Sequence, residues 1–221
     1  MSHFSGYFAL FANLKNRPVL LVGAGSVAEH KATALLKAGA RLQVVARELS
    51  EQFLYWQAEK KIEYLGEHFY PEQLLSVYLA VAATDDEALN QRVYAAAEAQ
   101  AKFCNVVDSP RQCSYITPAV IDRNPLQIVI SSGGTAPVLA RLWREKIESL
   151  LPQHIGKVAT YVEKWRHEVR RKISSLAKRR YFWEEIFLGP LSGVIEVGDE
   201  ERADEIMRQS ILAAQQQQRR R

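Results

Sequence analysis

Three short stretches of the chain carry residue types whose spacing suits chemistry. The first is Gly23-Ala24-Gly25-Ser26-Val27-Ala28, a GxGxxA run. Gly23 permits a tight turn, Gly25 has no Cβ to block a pyrophosphate, and Ala28 lets a following helix lie close to a sheet. The amides of Ser26 and Val27 would then face phosphates at the positive end of that helix. The second stretch is Asn105-Val106-Val107-Asp108-Ser109-Pro110. Asp108 could take a proton as a hydride leaves a substrate, or bind a metal ion through its carboxylate. Composition alone also allows an Asx turn ahead of Pro110. Asn105, three positions earlier, is a candidate substrate contact. The third stretch is Ser131-Ser132-Gly133-Gly134-Thr135-Ala136-Pro137. Two glycines and three hydroxyls make Ser132, Gly133, Gly134 and Thr135 an anion-binding nest for a carboxylate or phosphate, or an ordinary capped turn.

Three more positions bear on a cofactor. Arg47 and Glu48 follow a strand-like run, where an acid accepts hydrogen bonds from ribose hydroxyls and an Arg holds the extra phosphate of NADP. Both are present, so the rule is ambiguous, and Glu48, 23 positions after Gly25, favours NAD. Thr84 ends another apolar run and is a plausible cofactor contact, whereas Asp86 reads as a helix cap. The histidines His3, His30, His68, His154 and His167 share no metal-ligand spacing.

The elements that must position these groups follow an alternating pattern. Strands are predicted at 19–22, 41–46, 62–65, 77–83 and 103–107, with helices over 28–37, 51–60 and 87–101 between them. This is a doubly wound, Rossmann-like α/β domain with a parallel sheet, ending near Arg111. Further strands are predicted at 114–116 and 126–131, with Pro118 and Pro125 marking breaks. A helix over 138–150 ends at Pro152, and helices alone follow from 155 to 183 and near 200–215. The tail QQQQRRR is low-complexity and predicted to be disordered.

With 221 residues, 48% hydrophobic and 24% charged, the chain can bury a substantial core as one large domain plus a smaller one. Two cysteines nine apart, Cys104 and Cys113, exclude a disulfide framework or CxxC zinc site and suit a reducing cytoplasm. No apolar run approaches the roughly 18 residues of a membrane span, and no leader is expected at the N-terminus. The net charge of +4 is uneven: residues 1–140 hold 12 Lys and Arg against 13 Asp and Glu, and residues 141–221 hold 17 against 12. Lys164 to Arg180 has eight basic residues and one acid, Glu168, which attracts anions or forms a solvated helix face.

Together, GAGSVAEHKATALLKAGARLQVVA, AATDDEALNQRV, FCNVVDSP, SYITPAVIDRNPLQIVISSGGTAPVLARLWREKIESLLP and RRYFWEEIF resemble the precorrin-2 dehydrogenase/sirohydrochlorin ferrochelatase module of siroheme synthase. The order and spacing match from Phe8 to Phe187. The resemblance implies a cytoplasmic homodimer with an NAD-binding domain (1–113), a dimerisation segment (114–150) and a helical domain (151–221). It implies NAD⁺-dependent oxidation of precorrin-2 to sirohydrochlorin, then insertion of Fe²⁺ as a substrate, with Asp108 acting in dehydrogenation and transiently in chelation. By the same resemblance Ser26, Val27, Arg47 and Glu48 fall at NAD contacts, and Ser132 at a serine that carries phosphate in bacterial members. Arg141, Arg144 and the Lys164–Arg180 cluster become candidates for the carboxylate rim of the ring. The methyltransferase fused to many members has no counterpart in these 221 residues, so a separate uroporphyrinogen-III methyltransferase is expected upstream. Two other functions stay open: a dehydrogenase alone, with a separate chelatase, and an NAD-sensing nucleic-acid-binding regulator. Both enzyme readings expect no nucleic acid or membrane partner.

Overall fold

The structure is a computed structural model that describes residues 6–219. Five short strands build the first half: β1 (Pro18–Val22), β2 (Arg41–Val45), β3 (Ile62–Gly66), β4 (Leu79–Ala82) and β5 (Phe103–Val106). All pair in parallel, in the order β3-β2-β1-β4-β5. Helix α1 (Ser26–Lys37) links β1 to β2, α2 (Glu51–Ala58) links β2 to β3, and α3 (Glu87–Ala99) links β4 to β5. The fold is therefore the expected Rossmann-like one. Strand order reverses between β1 and β4, and open sheets of this kind leave a crevice at that point beyond the carboxyl ends of the strands.

The two-residue alternation of a strand sorts the core into two layers. Val19, Leu21, Leu42, Val44 and Val81 face Ala28 and Ala32 of α1 and Phe53 and Trp56 of α2. Leu20, Val22, Ala80, Ala82, Cys104 and Val106 face Val93 and Ala97 of α3 together with Phe69 and Leu74. Small alanines on α1 let that helix sit close to β1, which fixes where its N-terminus ends.

The chain forms two compact units, one of residues up to 117 with 133–135, the other of 118–132 and 136 onward. Residues 114–150 thus divide between them. In the second unit, β6 (Ala119–Arg123) and β7 (Leu126–Ile130) form an antiparallel hairpin beside α4 (Pro137–Leu150). Four helices follow: α5 (Ile155–Lys172), α6 (Leu176–Leu188), α7 (Leu191–Glu196) and α8 (Glu200–Arg219). Their core joins Val158, Val162 and Val169 of α5 to Phe182, Ile186, Leu191, Met207 and Ile211.

Several local expectations need correction. Residues 114–116 form no strand, because the backbone N–H and hydroxyl of Ser114 are already spent on Cys104, leaving a single bridge between Asn105 and Cys113. The hairpin partner of β7 is β6, which sequence patterning had not marked. Helix α1 begins at Ser26, two residues early, and α7 was not foreseen. The glutamine tract is not disordered: α8 continues to Arg219, since Ala203, Met207 and Ile211 anchor it at four-residue spacing and glutamine extends a helix readily. Arg220 and Arg221 lie outside the described residues, as does the start of the chain. Among the described residues no helix is long and apolar enough to cross a membrane.

Candidate functional site

At the end of β1 the chain turns through Gly23 with φ +112°. A Cβ there would lie 2.1 Å from the Ala83 carbonyl oxygen, so any side chain would force β1 and β4 apart. Gly23 N–H donates to the Val45 carbonyl at 2.8 Å, and Ala83 N–H donates to Val22 at 2.8 Å. These bonds hold three strand ends around the turn. Gly25 is the N-cap of α1, with φ −85°, and a Cβ built on it meets nothing within 4 Å. Its freedom from side chain is therefore not demanded by the protein's own packing; it opens the space in front of the helix amides.

That space is a cleft of about 530 Å³, and Gly23, Gly25, Ser26, Val27, Arg47, Glu48 and Thr84 all line it, with Ala83, Asp85 and Asp86. Sequence patterning had named the first seven separately. Arg47 leans across the mouth toward Asp86, 3.9 Å away and largely exposed. Asp86 accepts a hydrogen bond from Leu89 N–H at 2.9 Å and so caps α3. Thr84 is fixed by Asn90: its hydroxyl donates to Asn90 Oδ1 at 2.8 Å, and Asn90 Nδ2 donates to the Thr84 carbonyl at 2.8 Å. Asn90 is a positioning residue that the sequence reading missed. An asparagine one turn into a helix that follows a strand end was the available signal. The free amides at the α1 N-terminus, the empty position at Gly25 and the carboxylate of Glu48 fit a dinucleotide.

Asp108 and Asn105 are not among the residues lining that cleft. They stand at the carboxyl end of β5 in the same unit. Asp108 is exposed and takes a left-handed backbone, φ +59°, which is uncommon for a residue with a Cβ and typical of Asn or Asp in turns. Asn105 is only 6% exposed, and its Nδ2 donates to the Tyr115 carbonyl at 3.1 Å and to Cys113 Sγ at 3.3 Å. It ties β5 to the segment that returns past Cys113 and Tyr115. Burial pushes the Cys113 thiol up from its ordinary range, and pushes Cys104 up to about 12. Lys31, also missed, reaches this corner from α1 and donates to the Thr117 hydroxyl at 3.0 Å. It falls three residues after Ala28 on the sheet-facing stripe of α1, and a charge on such a stripe was the sequence signal.

Ser132, Gly133, Gly134 and Thr135 lie on the loop between β7 and α4. Gly133 and Gly134 take φ +63° and +82°, and Ser132 Oγ accepts from Ala136 N–H at 2.9 Å. Ser132 therefore supports the start of α4. Among the described residues no group of three or more His, Cys, Asp or Glu side chains is placed to hold a metal ion. Of the basic residues on α5 and α6, Arg179 donates to the Ile173 and Ser174 carbonyls, and Arg180 pairs with Glu184. Arg144 on α4 pairs with Glu148.

Three family models match the chain in succession. "Putative NAD(P)-binding" covers residues 10–119, the sirohaem biosynthesis protein central region covers 123–150, and the sirohaem synthase dimerisation region covers 154–211. The siroheme synthase of Actinobacillus succinogenes is 50% identical over 190 residues. The chain belongs to the siroheme synthase family. Within that family, the Zymomonas mobilis siroheme synthase is 43% identical over 205 residues. The matches cover 86% and 93% of this chain but 40% and 44% of those proteins, so the chain spans less than half the length of these curated relatives. A solved structure named SirC, precorrin-2 dehydrogenase, shares the fold at a TM-score of 0.74 and 24% identity, over 94% of this chain and all of that one. The family's dimerisation region falls on the helices from 154, whereas the sequence reading had put the dimer segment at 114–150.

Proposed function

We propose that the protein oxidises precorrin-2 to sirohydrochlorin with NAD⁺. The single observation that carries this reading is the cleft at the strand-order reversal, where the GxGxxA turn, Glu48 and Thr84 converge, in a chain whose family is that of siroheme synthase. Glu48 beside the ribose end favours NAD⁺, and Arg47, already drawn toward Asp86, is less available to a 2′-phosphate. When bound, NAD⁺ supplies the hydride acceptor. Ser26 and Val27 offer backbone N–H groups to the pyrophosphate, Thr84 keeps the β4 end in place through Asn90, and Asp108 takes the proton that leaves as the ring loses its hydride. Ser132 to Thr135 offer hydroxyls and left-handed glycines to a ring carboxylate. The substrate is rimmed with carboxylates, which a loop of hydroxyls and left-handed glycines suits.

Insertion of Fe²⁺ follows as a second step on the product, with Asp108 as a transient carboxylate for the metal that also takes the two displaced pyrrole protons one at a time and passes each to solvent. We place the protein in the cytoplasm as a homodimer assembled through its helical region, acting on the product of a methyltransferase. The dimerisation-region match supports the assembly, and the free thiols of Cys104 and Cys113 suit that compartment.

The test is an anaerobic assay that follows NADH formation from precorrin-2 and then the spectral change on adding Fe²⁺. Asp108→Asn keeps size and hydrogen bonding but loses basicity. It should bind NAD⁺ normally and oxidise at least about 10²-fold more slowly, the scale of a positioned base. Wild-type oxidation by the Asn variant would reduce Asp108 to a turn residue. Loss of oxidation with iron insertion intact would separate the two sites.

A further inference from the structure

The tetrapyrrole reading leaves open what holds the ring next to Asp108, and the inference here rests on that reading. Lys31 lies half-buried on α1, on the stripe that carries the fully buried Ala28 and Ala32 against the sheet. Its ammonium makes one hydrogen bond among the described residues, to the neutral Thr117 hydroxyl at 3.0 Å, and no carboxylate stands at ion-pair distance. Burial lowers its affinity for its proton, and this outweighs the opposing pull of Cys113 and Asp108 nearby. An ammonium has three N–H donors, and here two remain without a partner in the described protein. Such a group has lost part of its hydration without gaining a counter-charge in contact with it, a state that an incoming anion relieves.

We propose that Lys31 anchors a carboxylate of the tetrapyrrole substrate beside Asp108 and so determines which edge of the ring reaches that base. Thr117 supports the anchor: its oxygen accepts from Lys31, which leaves its own O–H able to donate to the same carboxylate. The cofactor's pyrophosphate is a poor alternative partner. Lys31 does not line the cleft, and it sits five residues beyond Ser26, roughly 7.5 Å further along the helix axis from the phosphate-facing amides. Lys31, Thr117 and Asp108 belong to one unit: Lys31 bonds Thr117, which follows the segment that returns from β5 past Tyr115, and Asp108 lies near enough to pull on the Lys31 charge.

The experiment uses the full chain with Lys31→Met, which keeps the stem and removes the charge, and Lys31→Arg, which restores it. Sirohydrochlorin binding is titrated by absorbance without NAD⁺, and NAD⁺ binding is titrated separately. A charge-assisted hydrogen bond contributes about 1.5–3 kcal/mol, so Lys31→Met should bind the ring at least about tenfold more weakly. Lys31→Arg should recover most of that loss, NAD⁺ affinity should stay within about twofold, and the KM for precorrin-2 should rise far more than kcat falls. Should the Met variant fail to fold by circular dichroism, Lys31→Gln carries the same expectation with a polar end that tolerates partial burial. Wild-type ring affinity in the uncharged variant overturns the proposal. So does a fall in kcat with ring affinity unchanged, or a loss of NAD⁺ affinity as large as the loss of ring affinity. A wild-type chain that neither binds sirohydrochlorin nor reduces NAD⁺ with precorrin-2 overturns the functional reading itself. A wild-type chain that does both, while Lys31→Met keeps its ring affinity, removes Lys31 alone.

Discussion

Replacing Gly23 and Gly25 separately with alanine should damage the same cleft in two different ways. At Gly23 the added Cβ would sit 2.1 Å from the Ala83 carbonyl oxygen and 2.7 Å from its carbon, both backbone atoms that cannot swing aside. Overpacking of this kind costs about 1–3 kcal/mol. The φ of +112° adds strain of roughly 1–3 kcal/mol for a residue with a Cβ. The two together come to about 2–6 kcal/mol, enough to lower the midpoint of thermal unfolding by at least about 4 °C in a chain of this size. At Gly25 the Cβ meets nothing within 4 Å and φ is an ordinary −85°. Alanine there should change stability by no more than about 1 kcal/mol, the effect of a poorer N-cap. It should nonetheless weaken NAD⁺ by at least about tenfold, because the methyl occupies the space before the helix amides. Thermal denaturation followed by circular dichroism and calorimetric titration with NAD⁺ separate the two effects. A Gly23→Ala protein that melts within a degree of wild type, or a Gly25→Ala protein with undiminished NAD⁺ affinity, would refute this account of the cleft.

Removal of the α3 cap by Asp86→Ala should cost about 1 kcal/mol and lower the melting midpoint by roughly 2–4 °C, measured in the same scans. It should also free Arg47, so the discrimination against NADP⁺ should shrink in competitive titrations; an unchanged ratio would mean that the Arg47–Asp86 contact has no bearing on cofactor choice. The Cys104 thiol, raised by burial to about 12 from an ordinary 9.0, keeps its proton in the fold after the unfolded chain has lost it. The folded state therefore binds more protons in this window, and the contribution of Cys104 to stability should be full below pH 9 and decline as pH rises from about 9 toward 12. Urea midpoints across that range check the sign, with Cys104→Ala as the variant whose slope should be shallower. Wild type and variant with equal slopes would remove Cys104 as a source of the dependence.

The strands of the sheet were legible because each is a short apolar run between helices whose buried residues recur at helical spacing. The GxGxxA turn was legible because its requirements are local: one glycine for the turn, one for the open approach and one alanine for close packing. The cap at Asp86 is local in the same sense, joining residues three apart. Patterning failed where a short segment's partners lie elsewhere. Residues 114–116 look strand-like, but Ser114 is satisfied by Cys104, ten positions back, and makes no ladder. The Gln tract looks disordered by composition, yet α8 carries it because residues upstream are already anchored in a core.

Composition and spacing therefore fixed the fold class, the nucleotide turn and the two carboxylates worth watching, Glu48 and Asp108, because those features depend on residues within one or two turns of each other. The gathering of seven separately chosen residues around one cleft depended on the strand order, which brings the ends of β1, β2 and β4 side by side. The Thr84–Asn90 clasp required α3 to fold back onto the end of β4. Lys31 and Thr117 are 86 positions apart and meet only because α1 and the segment after β5 cover the same face of the sheet. No local pattern encodes such a meeting; it follows from the chain leaving β5 and returning along the layer that α1 occupies, and with it comes the half-desolvated cation at the edge of the site.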